Sequence, residues 1–253
     1  MSLLDVQSVS VRFGGIQALD RLSFTIDDGQ ICGLIGPNGA GKTTMFNVVS
    51  RIYQPSEGRL LYRGDDLLSV PAHGIARHGI ARTFQNLALF PSMTLLENVM
   101  VGAHCQGSAG FARSTFRIGI RAEERRVRDD AGQLLARLGL AHLAHQVAAG
   151  LPFGTLKRLE LARALAAKPT FLIMDEPASG LTHGEVDELG EVIVSLRDEF
   201  GLTVLLVEHH MAMVMGISDK VVAMEFGRKI AEGLPDEVQN DPHVVAAYLG
   251  TDG

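Results

Sequence analysis

The residues from Gly36 to Thr44 constrain the fold of this chain more than any other stretch. They fit the pattern G-x-x-x-x-G-K-[ST], follow an apolar run at 31–35, and precede a helix predicted from Thr43 to about Ser50. A phosphate-binding loop requires this order of strand, turn and helix start. A chance glycine-rich turn is the alternative, and the flanking elements disfavour it. The stretch consists of Gly36, Pro37, Asn38, Gly39, Ala40, Gly41, Lys42, Thr43 and Thr44.

The residue types in this stretch suit the binding of a phosphate. Glycines let the backbone turn tightly, so that successive N–H groups can point at one anion. Lys42 can reach the terminal phosphates of a nucleotide, and the Thr43 hydroxyl can ligate Mg²⁺. The partial positive charge at the N-terminus of the following helix adds to this attraction. The sequence therefore predicts a site for a nucleotide with Mg²⁺.

Length and charge limit the classes of protein that this chain can belong to. Its 253 residues fit one large α/β domain, or a core with a subdomain. The 23 Lys and Arg residues stand against 29 Asp and Glu, whereas nucleic-acid binders usually carry a basic face. The arginine-rich run at 121–128 is interleaved with Glu123 and Glu124, which is typical of a solvated helix face. No nucleic-acid partner is expected.

The compartment is predicted from cysteines and hydropathy. Cys32 and Cys105 form no disulfide framework or metal-ligand spacing, which suits a reducing cytosol. The longest apolar runs, such as 202–207, are too short to span a bilayer. No signal peptide is expected at the N-terminus. The sequence predicts a cytoplasmic protein, which other subunits would have to bring to a membrane.

Strand and helix patterns alternate along most of the chain. Apolar residues recur at helical spacing from Thr94 to about Ala149, which predicts a helical subdomain. Elsewhere the alternation predicts right-handed crossovers and a mostly parallel sheet in an α/β fold. Strands are predicted at 3–13, 22–26, 31–35, 59–62, 80–84, 170–174, 202–207 and 220–225, and helices at 156–167, 184–199, 211–216 and 235–249.

Two candidate catalytic acids follow the apolar strand that begins near Thr170. Asp175 and Glu176 come at its carboxyl end, where open α/β sheets bind their ligands. Asp175 would orient Mg²⁺ opposite Thr43, and Glu176 would polarise the water that attacks the terminal phosphate. An acid pair that caps the next helix is the alternative reading. The upstream phosphate loop favours the catalytic interpretation.

Two further polar residues end predicted strands. Gln85 could contact Mg²⁺ or the attacking water without adding charge, although a surface glutamine is the alternative. His209 could hold the γ-phosphate, because an imidazole at a strand end can donate to an oxyanion. His210 shares this ambiguity, but the alternation of a strand points only one of the two histidines inward.

Together these motifs resemble the nucleotide-binding subunit of an ABC transporter. The resemblance covers nearly the whole chain and rests on the ordered set of motifs. The set is the phosphate loop, Gln85, Leu151-Pro152-Phe153-Gly154-Thr155, Asp175-Glu176, Ser179-Gly180-Leu181-Thr182 and His209. It implies a P-loop NTPase with a RecA-like core, an antiparallel β subdomain and a helical subdomain. It also implies ATP as substrate and Phe13 as an aromatic that stacks on adenine, the alternative being a core strand aromatic.

The resemblance implies a division of the chain and a set of partners. Residues 1–90 would form the β subdomain and the first part of the core, 91–158 the helical subdomain, and 159–253 the rest of the core with the C-terminal helix. Two cassettes, identical or not, would dimerise head to tail around two ATP molecules. Integral membrane permease subunits would dock near 85–91, where Leu87, Leu89 and Phe90 are apolar. A periplasmic binding protein would act indirectly, with the chain peripheral on the inner face of the membrane.

Several tracts are similar to the ATPases of branched-chain amino acid importers. They are Arg158 to Ala166, Val207-Glu208-His209-His210-Met211, Met215 to Asp219 and Ala246-Ala247-Tyr248-Leu249-Gly250. Cassettes of urea, amide or aromatic-acid importers share these tracts, and those of lipopolysaccharide exporters share them in part. A non-transport ABC ATPase, which would carry a coiled-coil insertion or a second fused cassette, is the alternative from another class. A P-loop kinase or a purely regulatory nucleotide binder is a more distant one.

The signature segment of this family is altered here. The family has Ser-Gly-Gly-Gln after the leucine, whereas this chain has Pro152, Phe153, Gly154 and Thr155. Proline has neither a hydroxyl nor a backbone N–H, so it cannot donate to the γ-phosphate of the opposite subunit. Gly154 still allows close backbone approach, and the following helix still presents its N-terminus. We expect weaker ATP-driven closure through this half of the site, unless Phe153 packs structurally and the site works normally.

Overall fold

A computed structural model describes residues 2–83, 87–103 and 120–249. The chain forms two compact units, the first made of Met1–Ile75 and Thr170–Gly253, the second of Ala76–Pro169. The strands in chain order are β1 (Ser2–Phe13), β2 (Ile16–Asp27), β3 (Ile31–Ile35), β4 (Glu57–Tyr62), β5 (Asp65–Asp66), β6 (Ile80–Arg82), β7 (Phe171–Asp175), β8 (Thr203–Val207), β9 (Lys220–Glu225) and β10 (Arg228–Gly233).

Helices connect some of these strands. The α-helices are α1 (Lys42–Val49), α2 (Leu95–Gly102), α3 (Ile120–Arg137), α4 (Phe153–Leu165), α5 (His183–Phe200), α6 (Met211–Ile217), α7 (Pro235–Gln239) and α8 (Pro242–Leu249). Short 3-10 turns lie at Leu67–Ser69, Ala72–His78 and Ala141–Leu143. Within the described residues, no helix is both long and apolar enough to cross a membrane.

The first unit contains an antiparallel sheet with the order β2-β1-β4-β5. The 12-residue strands β1 and β2 pair along their whole length, from Ser2 opposite Asp27 to Phe13 opposite Ile16. Their inward residues, including Leu4, Val6 and Val9, are fully buried, whereas Phe13 at the end of β1 is exposed. Phe13 is therefore not a core aromatic, which removes one of the two interpretations of this residue.

The first unit also contains a mostly parallel sheet, with its strands in the order β10-β9-β3-β8-β7. β3 pairs in parallel with β8 and β9, and β7 pairs in parallel with β8. All residues of β3, β7 and β8 are buried, as expected for strands covered on both faces. The parallel arrangement brings the carboxyl ends of β3, β8 and β7 to one edge of the sheet.

One sequence expectation about the C-terminal region is wrong, and one element there was not predicted. The predicted helix at 235–249 is two helices, α7 and α8, because Pro242 has no backbone N–H to continue a helix. Asp241 directly precedes α8, and its side-chain Oδ1 accepts from the His243 N–H at 2.7 Å. The hairpin of β9 and β10 was not predicted; its two-residue turn, Phe226-Gly227, has positive φ at both residues, as a type I′ turn requires.

The second unit is mainly helical in its described residues. β6 covers part of the strand predicted at 80–84, while Phe84 and Cys105 lie outside the described residues. The helix predicted from Leu156 begins three residues earlier, at Phe153. Thr94 and Glu97 form a capping box at the start of α2. The loop that precedes this helix is tied to it by Asn98, which is fully buried.

Candidate active site

The phosphate loop leaves β3 through a backbone that only glycine can adopt. At Gly36, with φ of 151°, an added Cβ would lie 2.2 Å from the Met224 carbonyl oxygen. At Gly41, with φ of 98°, it would lie 2.6 Å from the Ala18 carbonyl oxygen. Both distances are far below van der Waals contact with fixed backbone. These two glycines of the predicted motif are therefore required by local geometry, apart from any role toward a ligand.

Hydrogen bonds hold the loop in shape. Ala40 N–H donates to the Pro37 carbonyl at 3.1 Å, and Gly227 N–H donates to the Ala40 carbonyl at 3.0 Å. Tyr248 of α8 accepts from the Gly36 N–H, a bond that opposes the effect of burial, which raises the pKa of this phenol. The C-terminal helix and the β9–β10 turn thus both contact the loop.

The Lys42 ammonium folds back over the loop. Its Nζ donates to the carbonyls of Gly36 at 2.6 Å and Pro37 at 3.1 Å. Burial lowers the pKa of Lys42, and the charges of Glu176 and Asp175 oppose this shift. The Lys42 ammonium is close enough to both carboxylates for their charges to act on it, which supports the predicted grouping of these residues.

The N-terminus of the helix that follows the loop is suited to an anion. α1 begins at Lys42, its N-cap residue Gly41 is left-handed, and no side chain caps it. Asn38, Gly39 and Thr43 are exposed at this end, and Thr44 is half-buried. The first N–H groups of a helix lack intrahelical partners, so this terminus can bind an anion.

The two acids lie where the sequence predicted them. Asp175 is the last residue of β7 and is buried, and Glu176 is half-buried directly after it. Glu176 has a positive φ of 46°, which is strained for a residue with a side chain. Its N–H donates to the Val207 carbonyl at 2.8 Å, which fixes this residue to the end of β8.

A buried carboxylate lies at the end of β8. The Glu208 side chain accepts from the N–H groups of Ala178 at 2.8 Å, His209 at 2.7 Å and His210 at 3.1 Å. Its Oε2 also lies 3.0 Å from His210 Nδ1. Burial raises the pKa of Glu208, but the bonds from His210, Ala178 and His209 outweigh burial and lower it. The carboxylate is therefore ionised at neutral pH.

The histidines differ in exposure. The His209 side chain is 56% exposed and that of His210 29% exposed, so His209 is the more available to a ligand. Glu208, His209 and His210 present potential metal-ligand atoms within 4.8 Å of one another. Because the Glu208 oxygens already accept these N–H groups, we assign the cluster to hydrogen bonding rather than to metal binding.

Phe13, Gly154 and Gln85 are the remaining predicted residues. Phe13 is 45% exposed and meets Tyr53 edge-on, with 5.1 Å between ring centroids. Gly154 lies in the second unit, in the first turn of α4, after the N-cap residue Pro152, and no side chain caps this helix. Phe153 is 42% exposed, with the Lys157 ammonium 5.5 Å from its ring centroid. Gln85 lies outside the described residues.

Sequence reasoning missed two residues that contact the predicted site, Glu208 and Tyr248. Glu208 is an acid directly after an all-apolar strand and before the candidate histidine, which was an available signal. Tyr248 is 212 positions from Gly36 in the sequence, and nothing in the spacing links the two residues.

The chain is similar to known proteins along nearly its whole length. A family model described as ABC transporter matches residues 19–179, and one described as branched-chain amino acid ATP-binding cassette transporter matches residues 228–253. The chain is 40% identical to the high-affinity branched-chain amino acid transport ATP-binding protein BraF of Pseudomonas aeruginosa, over 98% of each chain. It is 33% identical to the lipopolysaccharide export system ATP-binding protein LptB of Escherichia coli, over 100% of this chain and 99% of LptB.

A solved structure extends this likeness to the fold. The ADP conformation of MJ1267, an ATP-binding cassette of an ABC transporter, superposes with a TM-score of 0.86 at 33% identity. The match covers 99% of each chain.

Proposed function

The chain belongs to the ATP-binding proteins of ABC transporters, and from this premise we propose that it energises import of branched-chain or other hydrophobic amino acids. The predicted family, the P-loop fold class and the ATPase activity are confirmed by the family model over residues 19–179 and by the relatives that match nearly the whole chain. The amino-acid class is inferred from the similarity to BraF and from the C-terminal family match.

One structural observation carries the assignment of the chemistry. Three neighbouring parallel strands deliver the phosphate loop, the Asp175-Glu176 pair and His209 to the same edge of one sheet. Ligands of open α/β sheets bind at this edge. The charges of both acids favour the protonated form of Lys42 and so oppose the effect of burial on its pKa. The arrangement suits phosphoryl transfer, in which positioning and charge stabilisation supply most of the catalysis.

The donors at this edge fit Mg²⁺. Mg²⁺ prefers hard oxygen ligands, which the Thr43 hydroxyl and the Asp175 carboxylate supply, and Gln85 would add an amide oxygen. When bound with ATP, the ion neutralises charge on the phosphates. The N–H groups from Gly36 to Thr44 and the Lys42 ammonium would hold the phosphates from the protein side.

The reaction needs a group that activates water. We assign this role to Glu176, whose backbone is fixed beside the sheet edge while its side chain is half-buried. His209 would donate to the γ-phosphate from the neighbouring strand end, and Gln85 would orient the attacking water. Phe13, exposed beside Tyr53, would stack on the adenine.

The other half of each site would come from a second cassette, identical or not. Gly154 and the uncapped N-terminus of α4 would face the γ-phosphate held by that partner. Pro152 supplies neither hydroxyl nor N–H, and a hydrogen bond to a charged group is worth about 1.5–3 kcal/mol. We therefore infer that this chain contributes the weaker half. Restoring serine by Pro152→Ser should accelerate ATP hydrolysis in the assembled transporter, and an unchanged rate would contradict this inference.

The loop before α2 is a candidate contact for the membrane permeases. Phe90 is 43% exposed there, and its backbone is held from both sides by the buried Asn98. A fixed loop that exposes an aromatic side chain suits the binding of a partner helix. We propose that the permeases hold the chain at the inner face of the membrane and that a periplasmic binding protein delivers the amino acid to them.

Export is the second candidate function, because LptB is similar over the whole chain. Uptake assays separate the two. In cells that lack this protein, uptake of labelled leucine, isoleucine and valine should fall and should return with the wild-type chain but not with Lys42→Ala. Normal uptake of these amino acids, together with a defect in lipopolysaccharide export or in uptake of urea, amides or aromatic acids, would assign the chain to that alternative.

A further inference from the structure

Glu208 directly precedes His209, and its side chain reaches the loop that carries Glu176. Its Oε1 accepts from Ala178, two residues after Glu176, and its Oε2 accepts from His209 and His210. The side chain is fully buried, so water does not compete for these bonds. A single carboxylate thus joins two segments that would carry different catalytic roles.

The loop after Glu176 is held by its own backbone bonds, from the Ser179 N–H to the Glu176 carbonyl and from the Leu181 N–H to the Ala178 carbonyl, both at 3.1 Å, and by the Glu208 carboxylate. Glu176 is itself held by the Val207 carbonyl in a strained left-handed conformation, which persists only when neighbouring bonds fix it. The Ala178 N–H, a buried group two residues later, donates to Glu208. Loss of this acceptor would leave a buried N–H without a charged partner and free the loop to relax.

We propose that Glu208 is a positioning residue, which sets the placement of Glu176 relative to His209 through its buried carboxylate. It touches neither the phosphates nor the water, and it acts through the two neighbouring segments. The inference rests on the roles proposed above for Glu176 and His209. The proposed function gives Glu208 no part of its own.

The substitution Glu208→Gln tests this with little change of volume. The amide has one acceptor oxygen and one NH₂ group. If the oxygen faces Ala178, the NH₂ faces the N–H groups of the histidines; in the other orientation it faces the N–H of Ala178. Either orientation sets donor against donor. A hydrogen bond to a charged group corresponds to about ten- to a hundredfold in rate or equilibrium.

Steady-state ATP hydrolysis and ATP binding by the full chain supply the first measurement. For Glu208→Gln we expect kcat to fall about tenfold or more, while the Kd for ATP stays within about twofold, because the phosphate loop is untouched. Glu191→Gln, an exposed acid of α5, is the matched control and should hydrolyse ATP at the wild-type rate. A kcat for Glu208→Gln within about twofold of wild type would overturn the proposal.

Hydrogen exchange supplies a readout that does not depend on turnover. The amides of Ala178, His209 and His210 should exchange faster in Glu208→Gln, while those of β3 and β7 keep their protection. Equal loss of protection across the sheet would indicate a merely structural role and would also overturn the proposal. If wild type hydrolyses no ATP, the proposed function fails, and the exchange pattern still decides whether Glu208 holds the two segments.

A second variant covers the case in which Glu208→Gln does not fold. His210→Ala removes the side-chain bond to Glu208, at a partly exposed position, together with a ring contact to His209 at 4.5 Å between centroids. We expect a two- to fourfold lower kcat, unchanged ATP binding and faster exchange at His209. Wild-type kcat and exchange in His210→Ala, together with failure of Glu208→Gln to fold, would contradict the proposal.

Discussion

Removal of the Asn98 side chain should destabilise the loop before α2 and the helix that follows it. Asn98 is fully buried, and its side chain bonds to backbone groups of the segment that precedes α2. Its Oδ1 accepts from the Phe90 N–H at 2.8 Å. Its Nδ2 donates to the carbonyls of Phe90 at 3.1 Å, Met93 at 3.3 Å and Thr94 at 3.0 Å.

The size of the effect follows from the number of protons available. The amide has two N–H groups for three carbonyls, so the side chain provides two donated bonds and one accepted bond. At a net value of about 1 kcal/mol each, Asn98→Ala should cost about 3 kcal/mol of unfolding free energy. For a chain of this size this corresponds to a Tm lower by roughly 6–12 °C. Asn98→Asp keeps the acceptor but sets a carboxylate against carbonyl oxygens, and should cost at least as much at pH 7.

Thermal unfolding with hydrogen exchange on the full chain measures this cost. The Phe90 amide should lose its protection in Asn98→Ala, because its acceptor is removed. Asn240→Ala is the control: that amide makes one exposed bond to the Asp236 carbonyl at 2.8 Å, so its removal should cost under about 1 kcal/mol. Equal Tm values for Asn98→Ala and wild type, within about 1 °C, would refute the reasoning.

Further predictions concern the phosphate loop, a buried thiol and an ion pair. Tyr248→Phe removes the acceptor of the Gly36 N–H, so the Kd for ATP should rise about two- to tenfold by calorimetry; an unchanged Kd would show that this bond does not shape the loop. Burial raises the pKa of Cys32 to about 12, so iodoacetamide at pH 8 should label it only after unfolding in urea; rapid labelling of Cys32 in the native protein, distinguished from Cys105 by peptide mass spectrometry, would contradict this. Burial raises the pKa of Glu232, but hydrogen bonds and charges from Lys220 and Lys229 outweigh burial and lower it. The ionised Glu232 therefore stabilises the fold above the pKa of the acid in the unfolded chain, and this stabilisation is lost as the pH falls through the pKa of the folded protein. Glu232→Gln should therefore be less stable than wild type at pH 7, by under about 1 kcal/mol, and equally stable near pH 3; a constant difference would exclude the ion pairs as its cause.

The elements predicted best from the sequence are those with strong local patterns. β3 and β9 have the predicted bounds, and β7 and β8 begin within one residue of them. Their apolar runs need the buried middle of a parallel sheet, so local pattern and tertiary context agree. The phosphate loop was predictable for the same reason, since its glycines, lysine and flanking elements are contiguous in the sequence.

Features that depend on distant contacts were not predictable. The strand alternation could not decide between His209 and His210, because a buried carboxylate that bonds both N–H groups fixes this segment. Glu208 and Tyr248 act across long stretches of chain, on Ala178 and Gly36 respectively. The closing helix was predicted as one element because the helical spacing of its apolar residues was given more weight than Pro242. Proline inside a helix lacks the N–H and clashes with the preceding turn, so this break could have been predicted from the sequence.

The most direct test of the central claim is ATP hydrolysis by Glu176→Gln. Glu176 is assigned as the group that activates water, and the phosphate loop as the group that binds ATP, so kcat should fall at least about a hundredfold. The Kd for ATP should stay within about threefold of wild type, and Glu191→Gln should behave as wild type in both measurements. Hydrolysis by Glu176→Gln at the wild-type rate, with ATP bound equally well, would contradict the account.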